Sequence, residues 1–311
     1  MAETHRNLLI TLLTIMSWLS LPAAATAKST IGLIIPRGTA ESAEIQRTFQ
    51  ETLKAEAPDT EVDFIIQHPY PDTIALGNAT RKLVVAGAEL IVAYGTTAAI
   101  VALNEKTGLP LLFSGVYDPG NAPFAGLELT GCGYKLPLSS LFRYLRELKP
   151  ISTVCAIYCS LENDTVRQIN ELTELAKEQR ITLIPINLMS TVDLDPTQLD
   201  KGDAAIITGG NIVNLRLVEI LAITQARQQP SISIQPDTNA VGVTIALYNS
   251  PQAQSRRTAK MAAQILAGRP ARDIKPETIR NTELVFNLRE AKGIGVKIPF
   301  QMVAEASKVI K

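Results

Sequence analysis

The chain contains few of the residues that most catalytic and metal sites require. Its 311 residues include two histidines, three cysteines and one tryptophan. His5 and Trp18 lie in residues 1–27, so His68 is the single histidine of the remaining chain. This excludes a multi-histidine metal site there. The phosphate-loop, dinucleotide-binding, nucleophile-elbow and zinc-protease motifs are missing as well, and we expect no metal, no cofactor and no catalytic residue.

Neither sign of charge predominates. Lys and Arg total 30, Asp and Glu also total 30, and the formal net charge is zero. No cluster of Lys or Arg interrupts this balance, whereas nucleic-acid-binding surfaces are strongly basic. We therefore expect no nucleic acid among the partners.

Residues 1–27 have the pattern of a secretory signal peptide. Arg6 precedes an apolar run over 8–21, and the small residues of PAAATA end at Ala27. The run is too short to span a bilayer, and no later run reaches the necessary length. We expect cleavage near Ala27 and a periplasmic protein that is not embedded in the membrane.

The cysteines have no spacing that suggests a disulfide. Cys155 and Cys159 would lie roughly 13 Å apart in an extended segment, which is too far to bridge. The odd count, with Cys132 as the third, leaves at least one free thiol. We interpret all three as small buried residues near strand ends.

From Lys28 onward, apolar strands alternate with amphipathic helices. TIGLIIP, EVDFIIQ, LIVAYG and PLLFSGV have the pattern of buried strands, and Ile45, Phe49 and Leu53 share one face of the first helix. After Thr130 the alternation restarts with STVCAIY, ITLIPINL and AAIITGG. Such a pattern is typical of parallel sheets covered by helices on both faces. The restart predicts an α/β protein with two similar Rossmann-like lobes.

Polar and aromatic side chains follow many of the predicted strands. Ligands of open α/β sheets bind beyond the carboxyl ends of the strands, so these positions form the candidate ligand-binding site. The candidates are Arg37, Tyr94, Thr96, Thr97, Ser114, Tyr117, Asp118, Tyr158, Asn163, Asn211 and Asp237.

Each of these positions also has an ordinary structural interpretation. Thr96 and Thr97 open a helix, where free N–H groups favour an anion, but threonine is also a common helix cap. Asp118 precedes a proline, which fits a turn as well as a cation receptor. The tyrosines at strand ends suit a ligand wall and equally a half-buried core edge, and they are Tyr94, Tyr117, Tyr158 and Tyr248.

Several segments resemble the ABC-transporter substrate-binding proteins whose better-studied members take up aromatic amino acids. They are IVAYGTTAAIVAL, LPLLFSGVYDP, MAAQILAGRPARDIKPET and LVFNLREAKGIGVKIP, and the resemblance extends from about Ile31 to Pro299. It implies a type I periplasmic binding protein, with parallel-sheet lobes joined by a three-crossing hinge. The implied lobes are 28–132 with 241–274, and 133–240 with 275–311. The implied crossings lie near 130–134, at 240–241 and within 275–282.

The resemblance also distributes the candidate residues over the lobes. It implies that Thr96, Thr97, Ser114 and Asp118 line the first lobe, and that Tyr158, Asn163, Asn211 and Asp237 line the second. The chain departs from the family at Thr208-Gly209-Gly210-Asn211, where related sequences often have an acid suited to an α-amino group. A second departure is Ser255, where a glycine is common. An amino acid ligand is therefore one alternative among several, with Asp118 or Asp237 left to receive an ammonium.

The leading hypothesis is a protein that captures a small molecule by hinge closure and delivers it to an ABC transporter permease. An aromatic or apolar amino acid is one candidate ligand, with its carboxylate at the helix start of Thr96 and Thr97. One alternative is a ligand-sensing partner of a membrane signalling protein. Another is an exported α/β hydrolase that uses His68.

Overall fold

The computed structural model describes residues 28–125, 127, 129–189, 194–236 and 242–311. The expected signal peptide (1–27), the candidate Asp237 and the crossing expected at 240–241 lie outside the described residues.

The described strands form two sheets. The first is a six-stranded sheet of β1 (Lys28–Ile34), β2 (Glu61–Gln67), β3 (Leu90–Tyr94), β4 (Leu111–Tyr117), β5 (Thr130–Tyr134) and β11 (Glu277–Ile279). The second is a seven-stranded sheet of β6 (Thr153–Tyr158), β7 (Thr182–Asn187), β8 (Ala204–Ile207), β9 (Ser231–Ser233), β10 (Ile245–Tyr248), β12 (Glu283–Asn287) and β13 (Lys308–Ile310).

Helices cover the faces of both sheets. They are α1 (Ser42–Glu56), α2 (Thr73–Val85), α3 (Thr96–Asn104), α4 (Ser139–Leu148), α5 (Asn163–Glu178), α6 (Asn211–Leu215), α7 (Leu217–Ala226), α8 (Pro251–Leu266), α9 (Leu288–Gly293) and α10 (Phe300–Glu305). Short 3-10 turns cover Pro119–Asn121, Pro196–Lys201 and Ala271–Asp273.

The two sheets have the same strand order. The first runs β11-β5-β4-β3-β1-β2 and the second runs β13-β12-β10-β9-β8-β6-β7, so β6 to β10 repeat the arrangement of β1 to β5. The strand pairs are parallel except for β10 with β12, which is antiparallel. This confirms the predicted pair of α/β lobes with parallel sheets. In each lobe the strand order reverses between its first and third strands, which is where such sheets bind ligands.

The apolar sequence of the strands explains their position in the core. All five residues of β3 are buried, because helices cover the sheet on both sides. On α1, the predicted face of Ile45, Phe49 and Leu53 is buried and lies in the same apolar cluster as Ala259 and Met261 of α8. Helix α8 therefore packs on the first lobe, although it follows the second lobe in sequence.

The sheets divide the late part of the chain differently from the sequence-based boundaries. Strand β10, assigned to the first lobe within 241–274, pairs with β9 and β12 of the second sheet. Strand β11, assigned to the second lobe within 275–311, pairs with β5 of the first sheet. The chain thus crosses between the sheets after β5, at 249–250 and at 280–282. Short apolar runs carry no information on which sheet edge they join, because the pairing is made with strands far away in sequence.

The cysteines are free and buried, as predicted. Burial raises the pKa of Cys132 to about 12 and that of Cys155 and Cys159 to about 11. The thiols are therefore protonated at neutral pH and behave as small core residues. Over the described ranges, no helix is both long enough and apolar enough to cross a membrane.

Substitution of Gly131 should destabilise the first lobe. An added Cβ there would lie 2.0 Å from the Phe113 carbonyl oxygen, so β4 and β5 would have to separate. We expect Gly131→Ala to lower the free energy of unfolding by about 2–4 kcal/mol in urea denaturation.

The matched control is Gly293→Ala at the end of α9, where an added Cβ meets nothing within 4 Å. This variant should be neutral or more stable by up to about 1 kcal/mol. Equal denaturation midpoints for the two variants would contradict the close approach at Gly131.

Candidate ligand-binding site

A cavity of about 110 Å³ lies between the lobes, at the carboxyl ends of both sheets. Tyr94 and Thr96 line it from the first lobe, Glu162 and Asn211 from the second, and Asn249 from a crossing segment. The cavity is therefore at the strand-order reversal of both sheets, on the carboxyl-end edge that the sequence analysis selected.

The structure brings some of the candidate residues to this cavity and not others. Those in its wall are Tyr94, Thr96, Thr97, Ser114 and Asn211. Those outside its wall are Arg37, Tyr117, Asp118, Tyr158 and Asn163.

Helix α3 begins at the cavity. Its N-cap, Gly95, has a φ of 88°, a left-handed conformation that glycine adopts without strain. The first N–H groups of a helix have no partner within it, so those of Thr96, Thr97 and Ala98 need partners from outside the helix, at the cavity wall.

A side chain of the second lobe already occupies the first of these groups. The Asp164 carboxylate, in the first turn of α5, accepts hydrogen bonds from the Thr96 N–H at 3.1 Å and the Thr96 hydroxyl at 2.5 Å. It also accepts one from the Tyr117 N–H at 3.1 Å. The sequence analysis expected a ligand carboxylate at this helix start. The structure differs, because the protein supplies a carboxylate of its own.

Asp164 is a buried charge with several compensating partners. Burial raises the pKa of its carboxyl above the usual value, and the Thr96 hydrogen bonds and the Arg167 guanidinium offset only part of this rise. The Arg167 Nη2 to Asp164 Oδ1 distance is 2.9 Å. Arg167 also donates to the carbonyl oxygens of Tyr117 and Asp118. Asp164 and Arg167 together thus join the second lobe to the loop after β4 in the first lobe.

Tyr117 and Asp118 contribute to this junction rather than to the cavity wall. The Tyr117 hydroxyl donates to Glu171 at 2.5 Å, and Lys135 lies 2.5 Å from Glu171 and 3.2 Å from Asp118. Burial by itself would raise the pKa of Asp118, but hydrogen bonds from Asn121 and Lys135 lower it. The placement of these two residues in the ligand site is therefore corrected: their partners are Glu171 and Lys135, which come from other segments of the chain.

The remaining candidates outside the cavity wall have structural positions. Arg37 is exposed, and its backbone N–H bonds to the Pro69 carbonyl. Tyr158 is half-buried against the core of the second lobe. The backbone N–H of Asn163 donates to the Thr97 hydroxyl at 3.4 Å. A place at a strand end selected the edge of the sheet at which the cavity lies, but it did not determine which residue faces the cavity.

Glu162 is a wall residue that the sequence analysis missed. It is 4% exposed, and its carboxylate accepts the N–H groups of Asn211 at 2.7 Å and Ile212 at 3.0 Å. Burial, with the nearby Asp164 charge, raises the pKa of Glu162 to about 7 despite these hydrogen bonds. The available signal in the sequence was the pair of acids, Glu162 and Asp164, at the start of α5. Acids are common at helix starts because they complement the helix dipole, so this signal did not indicate a cavity.

The acid-free loop at Gly209-Gly210 makes room for Glu162. A Cβ on Gly210 would lie 2.6 Å from the Glu162 Oε2 atom and 2.4 Å from the Thr165 Cγ2 atom. The loop thus lacks the acid that related sequences often have, and the Glu162 carboxylate from a different segment lies beside it.

Buried polar atoms face the cavity without partners among the described residues. They are Gln235 Nε2, Asn249 Oδ1 and Gln254 Oε1. These residues are 9%, 3% and 3% exposed, respectively. Leaving a buried polar atom unpaired costs about 1–3 kcal/mol, so such atoms usually have a partner. Their convergence on one cavity makes it the candidate ligand-binding site.

Three tyrosines line the cavity. Tyr94 and Tyr248 were predicted as wall residues, and Tyr134 was missed. The Tyr94 hydroxyl lies 3.2 Å from Ser255 Oγ, which donates to the Ile45 carbonyl at 2.7 Å. Ser255, noted for replacing a common glycine, thus holds Tyr94 in place.

His68, the histidine of the hydrolase alternative, lies apart from the interlobe cavity. His68 is exposed, lies outside the cavity wall, and contacts the Ile35 carbonyl through Nδ1 at 3.0 Å. No group of three or more His, Cys, Asp or Glu side chains there is placed to hold a metal ion.

Comparison with known proteins gives consistent similarities. Residues 38–310 match the model of the family described as ABC transporter substrate binding protein. A tyrosine-binding protein from Clostridioides difficile (strain R20291) is 19% identical over 260 residues, covering 80% of this chain and 74% of that protein.

Solved structures show the same fold. An ABC domain in complex with L-Trp from Streptococcus pneumonia has a TM-score of 0.82 at 22% identity, covering 91% of this chain and 100% of that one. The ligand-free, open structure of a substrate-binding protein with adhesive properties from Clostridium difficile has a TM-score of 0.63 at 17% identity, covering 91% and 99%. Similarity to further periplasmic binding proteins confirms the predicted type I fold.

The buried carboxyl of Glu162 should make stability depend on pH. Its pKa is about 7 in the folded protein against 4.5 ordinarily, so the folded state binds this proton more tightly. The free energy of unfolding should therefore fall as pH rises from about 5 to 8, by on the order of 2–3 kcal/mol from this group. Glu162→Gln removes this titration, so its free energy of unfolding should lack this fall. The variant should therefore gain stability relative to wild type as the pH rises over the same range.

Asp203→Asn is the matched control for this measurement by urea denaturation. Hydrogen bonds from the Ser152 and Thr153 N–H groups hold the pKa of Asp203 below its usual value, so it stays ionised throughout. The difference in free energy of unfolding between Asp203→Asn and wild type should therefore be constant from about pH 5 to 8. A constant difference for Glu162→Gln as well would contradict the raised pKa.

Proposed function

The chain belongs to the ABC transporter substrate-binding protein family, and we propose that it captures a small molecule between its lobes and delivers it to an ABC importer. The observation that carries this proposal is the interlobe cavity with its unpaired, buried polar atoms. Those atoms come from the first lobe, the second lobe and a crossing segment. A molecule that pairs with all of them must contact both lobes at once.

Such contacts provide a mechanism of hinge closure. A ligand that touches both lobes binds the closed arrangement better than an open one, and it shifts the population toward closure by that difference in affinity. The protein has its own bonds across the cleft, including Asn214 Nδ2 to the Gly38 carbonyl at 2.7 Å and Thr39 Oγ1 to Asn211 Oδ1 at 3.1 Å. These bonds form only when the lobes meet, so they add to the closure that the ligand drives.

The relatives support a small ligand. One is a tyrosine-binding protein and another is in complex with L-Trp, so aromatic amino acids belong in any first ligand screen. We place the protein in the periplasm, in line with the expected signal peptide. The position of His68, exposed and away from the cavity, favours binding over hydrolysis.

Ligand binding should stabilise and compact the protein. A ligand at a hundred times its dissociation constant adds about 2.7 kcal/mol, which gives a melting shift of several degrees in a domain of this size. We would screen amino acids, amines, nucleobases, small carboxylates and sugars by thermal shift, and then measure X-ray scattering with each ligand that binds. The radius of gyration should fall on binding. No shift with any class, or binding without a fall in the radius of gyration, would reject the proposed function.

A pair of glutamine variants tests the cavity itself. Gln254→Ala removes an unpaired acceptor from the wall, so affinity for the ligand found in the screen should fall by roughly tenfold to a hundredfold. Gln264→Ala, on the same helix, loses a bond with Arg269 on the surface and should bind as wild type does. Equal affinities for the two variants would place the ligand elsewhere.

A further inference from the structure

The charges around the cavity are acidic. Glu162 and Asp164 line it, and the described wall contains no lysine, arginine or histidine. The internal stretches outside the description, at 126, 128, 190–193 and 237–241, contain none of these residue types either. Arg167 is paired with Asp164 at 2.9 Å, which leaves the Glu162 carboxylate without a cationic partner in the wall. One positive charge on the ligand would balance the site.

The helix start that would ordinarily receive a ligand anion is already engaged. The Asp164 carboxylate takes the Thr96 N–H and hydroxyl. A ligand carboxylate at the neighbouring N–H groups of Thr97 and Ala98 would face this carboxylate at short range in a buried setting, where like charges repel strongly. These N–H groups suit a neutral oxygen instead.

The unpaired atoms of the wall are mostly hydrogen-bond acceptors. Asn249 Nδ2 donates to the Asn281 carbonyl at 2.7 Å, which leaves its Oδ1 directed to the cavity. Gln254 Nε2 donates to backbone carbonyls of Asn249 and Ser250, which leaves its Oε1 free in the same way. Gln235 Nε2 is the donor among the unpaired amide atoms. A ligand rich in N–H groups matches this pattern.

The size of the cavity limits the ligand further. At about 110 Å³ it is comparable with cavities of roughly 150 Å³ that hold a benzene ring, so a ligand of roughly six to ten non-hydrogen atoms fits. The tyrosine rings of the wall, Tyr94, Tyr134 and Tyr248, add faces that attract organic cations.

We infer that the ligand is a small organic monocation, about one ring in size, that carries N–H donors and no carboxylate, with Glu162 as its counter-ion. This inference rests on the proposed function and specifies the ligand class of the same cavity. It separates this protein from relatives named for amino acids, because an amino acid brings a carboxylate to a site that already contains its own.

Matched pairs of an amine and the amino acid with the same side chain test the inference directly. We would titrate tyramine and tyrosine, phenethylamine and phenylalanine, histamine and histidine, and isoamylamine and leucine into the purified protein by calorimetry. Each pair differs only in the carboxylate. At least one amine should bind, and it should bind tenfold or more tightly than its amino acid.

Variants test which carboxylates make the protein prefer an amine to the matching amino acid. Glu162→Gln should weaken amine binding by tenfold or more, whereas Asp203→Asn, at the opposite edge of the second sheet, should not change it. Asp164→Asn removes the charge beside the α3 start. The ratio of amine affinity to amino acid affinity should therefore fall by tenfold or more. If the role of Asp164 were purely structural, the variant would weaken the binding of both ligands equally and leave this ratio unchanged.

The pH dependence gives an independent readout. The titratable groups around Glu162 are Asp164, Tyr134 and Cys159, and none of them is a base that could replace the ligand cation. Burial raises the pKa of Glu162 to about 7, so its charge develops between about pH 6 and 8. Amine affinity should rise severalfold over this range, and Glu162→Gln should abolish the rise.

The outcomes separate the inference from the proposed function. If an amino acid, a sugar or a small carboxylate binds with compaction while no amine does, the inference is wrong and the proposed function stands. The same holds if an amino acid binds as tightly as its amine. If nothing in the whole screen binds, both are rejected.

Discussion

The contact on which the cleft depends is the one between Asp164 of the second lobe and the first turn of α3 in the first. A buried carboxylate is costly unless it is paired and hydrogen-bonded. Here the Thr96 N–H and hydroxyl, the Tyr117 N–H and the Arg167 guanidinium supply these partners. Some of the partners belong to the opposite lobe, so the charge is satisfied only when the lobes meet. The position of one side chain thereby sets the shape of the cavity between them.

The cavity takes its chemistry from this arrangement. Its helix start is already neutralised, its second carboxylate, Glu162, is buried beside Gly210, and its free amide oxygens point inward. Each feature limits the ligand. The engaged helix start disfavours an anion, the buried Glu162 carboxylate favours a cation, and the free amide oxygens favour N–H donors. The same residue types arranged around an empty helix start would favour a different molecule.

Much of the architecture was accessible from the sequence. The alternation of apolar strands and amphipathic helices, with a restart near Thr130, predicted both sheets and their parallel strands, because the hydrophobic period reports local structure and burial. The interlobe cavity lies at the edge of the sheets that the sequence selected, and Tyr94, Thr96, Thr97, Ser114 and Asn211 line its wall. That these residues bind a ligand stays a prediction. The late strands were misassigned because β10 and β11 are short and pair with strands distant in sequence. Glu162 and Asp164 were missed because acids at a helix start are common on any helix.

The sequence by itself determined the elements, their order and the edge of the sheets at which the interlobe cavity lies, since these follow from local periodicity and from the geometry of parallel strands. The tertiary structure decided which residues at that edge face the cavity. Tyr117 donates to Glu171, and Asp118 pairs with Lys135. Asp164 accepts a hydrogen bond from Thr96. Those choices depend on pairing buried polar groups with partners from remote segments, and only the packed lobes bring such partners within hydrogen-bonding distance.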